Sequence, residues 1–314
     1  LGMLIMAHIN LREIERFVPL FYVIGVLLLV AVLLFGVGAK GAQRWLQVFG
    51  MPRFQPSELL KLAVPLTVAW YLCGRNHPTS FGNTLVAFIL VGIPVFLIAK
   101  QPDLGTALLI GASGLFVIFF GGLLWRYMML AVLAGAAGLP VLWSFMHAYQ
   151  KQRVMTFLDP ESDPLGAGWN IIQSKIAIGS GGFTGKGWLQ GTQSHLDFLP
   201  ETHTDFIIAV LAEEFGFLGV LLLLFLYLFI LIRGLIIAGK AQDPFSRMLA
   251  AGLTLTFFVY VVVNIGMVSG LLPVVGVPLP LVSYGGTSAV TLMLSIGMLM
   301  SIRAQRTSRR MRKV

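Results

Sequence analysis

Asp205 closes a dense polar run, Phe198-Leu-Pro-Glu201-Thr-His203-Thr204-Asp205-Phe206, that passes straight into a long apolar stretch. A carboxylate at such a boundary is placed to act as general base toward a substrate held in the outer leaflet. The bland alternative is a helix start, with Thr204 as N-cap and Asp205 in the first turn, where the helix dipole favours an acid. His195, Asp197, Glu201 and His203 can be drawn as a zinc site, but their spacing matches no standard zinc pattern. A hard divalent cation, Mg2+ or Mn2+, bridging phosphate and carboxylate suits these donors better.

Three further segments hold polar groups where they are expensive. In Phe54-Gln55-Pro-Ser57-Glu58-Leu-Leu-Lys61, Ser57 reads as a helix cap and Glu58 and Lys61 stand i, i+3, close enough to pair. A cap does not require a lysine inside an apolar run, so we expect Lys61 to meet a phosphate while Glu58 orients it. Lys100-Gln-Pro-Asp103-Leu-Gly-Thr106 has turn chemistry, and Asp103 either shapes that turn or faces an outer cavity. Pro278-Leu-Pro-Leu-Val-Ser283-Tyr284-Gly-Gly286 is an irregular stretch that membrane depth tolerates only where it is buried or lines a wet cavity. Gly179-Ser-Gly-Gly-Phe-Thr-Gly-Lys186-Gly187 is not a nucleotide loop. Ser180 stands where the first glycine belongs and Gly187 where Ser or Thr should follow the lysine, so a mobile glycine-rich segment is expected and no nucleotide.

The elements that position these groups are membrane spans. Of 314 residues, 57% are hydrophobic and 11% charged, against about a quarter charged in soluble domains. Complete spans are expected near 17–38, 57–73, 84–100, 104–123, 127–147, 206–232, 248–272 and 286–302, with residues 1–9 reading as the tail of a further span and the N-terminus as truncated. The fold class is therefore an all-α polytopic bundle, a single domain over 1–314. One loop, 148–205, is far longer than the usual ~4–6 residues. Within it, apolar residues at 171, 172, 176 and 178 predict a short interfacial helix. The lone cysteine, Cys73, allows no intrachain disulfide.

Charge sets the orientation. Thirteen of the 22 Lys and Arg, but three acids, fall in 10–16, 74–83, 124–126, 233–247 and the basic tail 303–314. That side is expected to be cytoplasmic, the C-terminus included, and the 148–205 loop extracytoplasmic. The net charge of +9 is thus accounted for by topology and implies no nucleic acid. The tail could also attract anionic lipid headgroups.

Five motifs in order resemble the SEDS family (shape, elongation, division and sporulation proteins). They are Gly41-Ala-Gln-Arg44-Trp45, Phe54-Gln-Pro-Ser-Glu58, Gln101-Pro-Asp-Leu-Gly-Thr106, Glu201-Thr-His-Thr-Asp205-Phe206 and Pro280-Leu-Val-Ser-Tyr-Gly-Gly286. Asp159–Gly168, Gln173–Gly179 and Gly191-Thr-Gln-Ser194 look like its elongation branch more than its division branch. The resemblance implies about ten spans and a peptidoglycan glycosyltransferase. Such proteins polymerise lipid II on undecaprenyl-pyrophosphate-linked glycan, beside a class B penicillin-binding transpeptidase, in the bacterial cytoplasmic membrane. It puts the family's essential aspartate on Asp205 and its Glu and Lys on Glu58 and Lys61.

On this reading Asp205 is the base. Arg44, Lys61, Arg153 and Lys175 stabilise the departing pyrophosphate, and Trp45, Gln55, Asp103, His203, Thr204 and Ser283 complete the substrate-binding set. The walls around Asp205 are expected from 44–61, 101–106 and 278–286. Two rivals are a lipid II flippase and a non-catalytic scaffold for a transpeptidase. A transporter should place ionisable groups near the midplane, whereas these cluster at the outer edge; a scaffold leaves Asp205 and Lys61 unexplained.

Overall fold

The computed structural model describes residues 1–39, 42–47, 54–75, 79–123, 125–146, 148–162, 168–195 and 202–311. Every expected span contains a helix. They are α2 (Leu11–Phe35), α3 (Pro56–Cys73), α4 (Phe81–Lys100), α5 (Leu104–Phe120), α6 (Trp125–Phe145), α10 (Ile207–Lys240), α11 (Pro244–Val268) and α12 (Gly286–Met311). A short α1 (Gly2–His8) precedes them, and α7 (Ala148–Leu158), α8 (Trp169–Ser180) and α9 (Thr192–His195) lie in the long loop. Among the described residues, α2, α4, α10, α11 and α12 are long and apolar enough to cross a membrane by length and composition. Helix α5, at 17 residues, is apolar but short, and α3 gives its first turns to Glu58 and Lys61.

The helical class holds with one addition. Strands β1 (Val37–Ala39) and β2 (Ala42–Trp45) form an antiparallel hairpin in which Trp45 pairs with Val37. Leu46 and Phe54 continue the pairing through reciprocal backbone bonds of 2.9 and 3.0 Å.

The chain forms two compact units. The first comprises 1–131, 231–258 and 286–314; the second comprises 132–230 and 259–285.

In the first unit α3 is the central element, packed on α2, α4 and α5. Its length is almost wholly buried, including Leu60, Ala63, Val64 and Val68 at 0% exposure. Small residues bring the backbones together, as in other membrane bundles. A β-carbon on Gly114 would come within 2.3 Å of Val91, and one on Gly25 within 2.9 Å of Leu60. Outward faces stay apolar: Phe17, Leu27 and Leu34 on α2 are 64%, 62% and 70% exposed, which fits a lipid-facing surface and not an aqueous one.

In the second unit α10 is broken. Gly216 has φ 65 and ψ −164, a region open essentially to glycine alone, and it separates a short helix from the stretch that runs on to Lys240. The glycine-rich segment 181–187 packs into this break. The Lys186 and Gly187 amides donate to the carbonyls of Glu213 and Glu214, while those of Phe217 and Leu218 donate to Gly182 and Phe183. The segment expected to be mobile is therefore pinned to a span through both of its ends.

The short helix expected in the loop is present as α8, with a different buried face. Ile171, Gln173, Ser174 and Ala177 point inward, and Ile176 is 45% exposed. The Ser174 hydroxyl decides this rotation by donating to the Val268 carbonyl at 2.8 Å.

Candidate active site

The first unit gathers two polar groups around the start of α3. Pro56 occupies the first helical position and Gln55 the N-cap. Ser57 is thus one residue inside the helix and does not cap it, contrary to expectation. Its hydroxyl is buried without a hydrogen-bond partner. Beside it, Lys61 Nζ meets Glu58 Oε1 at 2.6 Å, with both side chains under 10% exposed. The Thr291 hydroxyl of α12 donates to Glu58 Oε2 at 3.3 Å. Glu58 thus binds both a cation and a second helix, and it fixes where the ammonium stands.

The other group centres on Asp103. One carboxylate oxygen caps α5 by accepting the Thr106 amide at 3.2 Å. The other accepts from Gln55 Nε2 at 3.2 Å and lies 3.8 Å from Arg44 Nε. Arg44 also donates to the Pro102 carbonyl. Cap and cluster are one arrangement: Asp103 shapes the turn and draws Gln55 and Arg44 to it. Arg44, Gln55 and Asp103 are brought together, and Trp45 follows Arg44 in β2.

In the second unit the segment 268–284 is the backbone hub. Asp205 lies in the turn 202–206, half-buried, and α10 starts at Ile207. The helix start is therefore two residues later than Thr204-as-cap predicts. The Asp205 carbonyl accepts from Asn264 Nδ2 at 2.9 Å, and the same amide donates to Val277 at 2.7 Å. Asn264, 0% exposed, clamps the aspartate's backbone to the hub. A β-carbon on Gly276 would stand 3.5 Å from Asp205 Oδ2, so the hub passes directly against the carboxylate.

The neighbours of Asp205 are strapped likewise. The Tyr284 amide donates to the His203 carbonyl at 2.8 Å. The Ser283 hydroxyl donates to the Thr204 carbonyl and accepts the Leu279 amide at 2.8 Å. Tyr227 donates to the Pro280 carbonyl at 2.7 Å. Two cations reach the same hub: Arg153 donates to the Val274 carbonyl at 3.1 Å, and Lys175 lies over Gly270, where a β-carbon would come within 2.4 Å of its Cε. Ser283, His203, Thr204, Arg153 and Lys175 are therefore gathered on one segment with Asp205. Glu201 and Asp197 lie outside the described residues.

Sequence reasoning missed Asn264, Tyr227 and Glu213. Glu213 is fully buried and accepts from Lys186 Nζ at 2.6 Å, from the Thr192 amide at 2.9 Å and hydroxyl at 3.1 Å, and from the Gln193 amide at 3.1 Å. An acid in an apolar span was the available signal for it.

The chain matches known proteins over most of its length. A model of the FtsW/RodA/SpoVE family, described as cell cycle proteins, fits residues 1–308. The chain belongs to this family. The peptidoglycan glycosyltransferase MrdB of Escherichia coli (strain K12) is 59% identical over 305 residues, covering 97% of this chain and 82% of MrdB. A probable peptidoglycan glycosyltransferase FtsW of Trichlorobacter lovleyi is 38% identical over 310 residues, covering 96% and 80%. Among solved structures, a peptidoglycan synthase complex that coordinates polymerization and crosslinking superposes with TM-score 0.83 at 32% identity, covering 97% of this chain and 86% of that one. The rod shape determining protein RodA of Thermus thermophilus does so with TM-score 0.71 at 29% identity, covering 97% and 83%. This FtsW/RodA/SpoVE chain is thus a polytopic helical membrane protein, and its likeness to MrdB and RodA places it with the elongation branch.

Proposed function

We propose that this chain is a peptidoglycan glycosyltransferase that polymerises lipid II at the outer face of the bacterial cytoplasmic membrane during cell elongation. The observation that carries the mechanism is Asp205: a half-buried carboxylate whose backbone is clamped by Asn264 and whose side chain borders Gly276. In the reaction a sugar hydroxyl of one lipid attacks the anomeric carbon of another. A new carbon–oxygen bond forms, the bond to the pyrophosphate oxygen breaks with its electron pair leaving on that oxygen, and the configuration inverts. Asp205 takes the hydroxyl proton. Arg153, bonded to the hub, and Lys175, lying over Gly270, balance charge on the departing pyrophosphate. In the other unit, Lys61 and Arg44 are assigned to phosphate oxygens, and Gln55, Asp103 and Trp45 to the positioning of the lipid-linked sugar.

No group of three or more acids, histidines or cysteines able to hold a metal occurs among the described residues. Mg2+ commonly binds through one or two carboxylates plus substrate phosphates, and that sparse donor set is what Asp205 offers. A divalent cation held by Asp205 and the pyrophosphate would supply charge stabilisation. The partner we assign is a class B penicillin-binding transpeptidase, supported by the synthase complex among the structural relatives. The C-terminus is assigned to the cytoplasm on the positive-inside count.

Purified protein given lipid II, with and without the transpeptidase, should form glycan strands, and Asp205→Asn should slow this by about 10²–10⁴-fold. An Asp205→Asn protein that polymerises at the unaltered rate removes the assignment. Transfer of lipid II across vesicles without polymer would favour the flippase reading instead.

A further inference from the structure

A cavity of about 130 Å³ opens in the first unit at the end of α10. Its walls carry three cations, Arg233, Lys240 and Arg303, and three isoleucines, Ile236, Ile237 and Ile302. None of the six belongs to the Asp205 hub or to the clusters at the start of α3. Residues 233, 236, 237 and 240 stand at i, i+3, i+4 and i+7, so they share one face of α10. Residues 302 and 303 come from α12, near the end of its own apolar span at Gln305. The cavity thus sits where two spans end together, at headgroup level.

The helix dipole accounts for one of the three cations, because Lys240 lies in the last turn of α10. It does not account for Arg233, nearly two turns earlier. Asp243, just after α10, caps α11 by accepting the Ser246 amide at 2.9 Å. The volume is well below the ~300–1,000 Å³ of pockets for drug-sized ligands, which leaves room for a small anionic headgroup. Beside the cavity, Ile232, Leu235 and Ile236 are 48%, 43% and 39% exposed, an apolar flank leading away from the charges along the span.

We propose that this cavity binds the phosphodiester headgroup of an anionic phospholipid, with the acyl chains along the exposed flank of α10. The shared chemistry is a phosphate ester; the flank selects a lipid over a soluble anion. Basic pockets between spans take such headgroups on the cytoplasmic side, the side to which the charge count assigns this end.

The test is the thermal unfolding midpoint of the full chain in nanodiscs of phosphatidylglycerol or of phosphatidylcholine, and in detergent with inorganic phosphate. The midpoint should rise with phosphatidylglycerol only. A combined Arg233→Gln, Lys240→Gln and Arg303→Gln protein should lose that rise. Lipid retention, read by native mass spectrometry, should fall roughly fivefold per cation removed and on the order of a hundredfold for all three. A charge-matched protein with Arg12→Gln, Arg16→Gln and Arg126→Gln, none of which lines the cavity, should keep both. Equal losses in the two proteins would show diffuse charge and overturn the site. An equal rise with inorganic phosphate would overturn the lipid. Absence of any phosphatidylglycerol preference in the unaltered chain would overturn the proposal without recourse to a variant.

Discussion

The Glu58–Lys61 pair concentrates two demands on one spot. Both groups are buried, and each offsets the other's charge across 2.6 Å. Lys61→Met leaves the Glu58 carboxylate uncompensated beside Thr291, and the expected cost is about 3–5 kcal/mol. The double change Glu58→Gln with Lys61→Met should cost less than Lys61→Met alone. Thermal unfolding in detergent separates them; a Lys61→Met protein as stable as the unaltered one would mean that the pair does not support the fold. Asn264→Ala makes the complementary case. It removes two donors, to Asp205 and to Val277, from a fully buried position. Polymerisation should fall through kcat while Asp205 itself is intact, and Asn264→Asp should not rescue it, since a carboxylate cannot donate to either carbonyl.

At the scale of elements, the break in α10 is the organising feature of the second unit. A β-carbon on Gly216 would lie 2.3 Å from the Gly185 amide nitrogen, in a backbone region that other residues rarely enter. Gly216→Ala should destabilise by at least ~1–3 kcal/mol. Gly179→Ala, in open space near the end of α8, should be neutral or gain ~0.5–1 kcal/mol. Comparable losses at both sites would argue against the geometry of the break. The Glu213 node fastens the same loop by its side chains. Glu213→Gln removes the charge that holds Lys186, and tryptic cleavage after Lys186 should quicken by about tenfold or more. The sequence announced Lys186 and its glycines but not their partner. Alternating glycines have the look of a free strap, and the break that receives them is made by tertiary contacts with no local signature.

For the whole chain, the apolar runs were enough to find every long helix, because hydrocarbon demands about 20 apolar residues wherever it is crossed. Their limits were less legible. The span expected at 206–232 extends to Lys240, since Leu235-Ile-Ile-Ala238 continues the apolar run past Arg233, and α11 ends at Val268 and not 272. The hairpin at 37–45 escaped notice because its ladder is a backbone property. Asp205, Glu58 and Lys61 stood out because charge is rare here, whereas Asn264 and Tyr227 are neutral and pass as ordinary span residues until their carbonyl partners are known. Sidedness is testable on the intact chain. With Cys73→Ser as background, an impermeant maleimide applied to intact cells should label Trp188→Cys directly, and Arg126→Cys only after the membrane is opened. The opposite pattern would invert the topology.

The broken helix also constrains how the protein is made. A span interrupted at Gly216 would enter lipid with peptide groups unmatched, and the groups that match them belong to residues 182–187. Those residues leave the ribosome before α10 does, so the acceptors for the Phe217 and Leu218 amides are already synthesised when the helix arrives. Loop and span should then open together or not at all. In deuterium exchange, the amides of Lys186, Gly187, Phe217 and Leu218 should share one opening free energy and behave as a single cooperative unit, although some thirty residues of chain separate them.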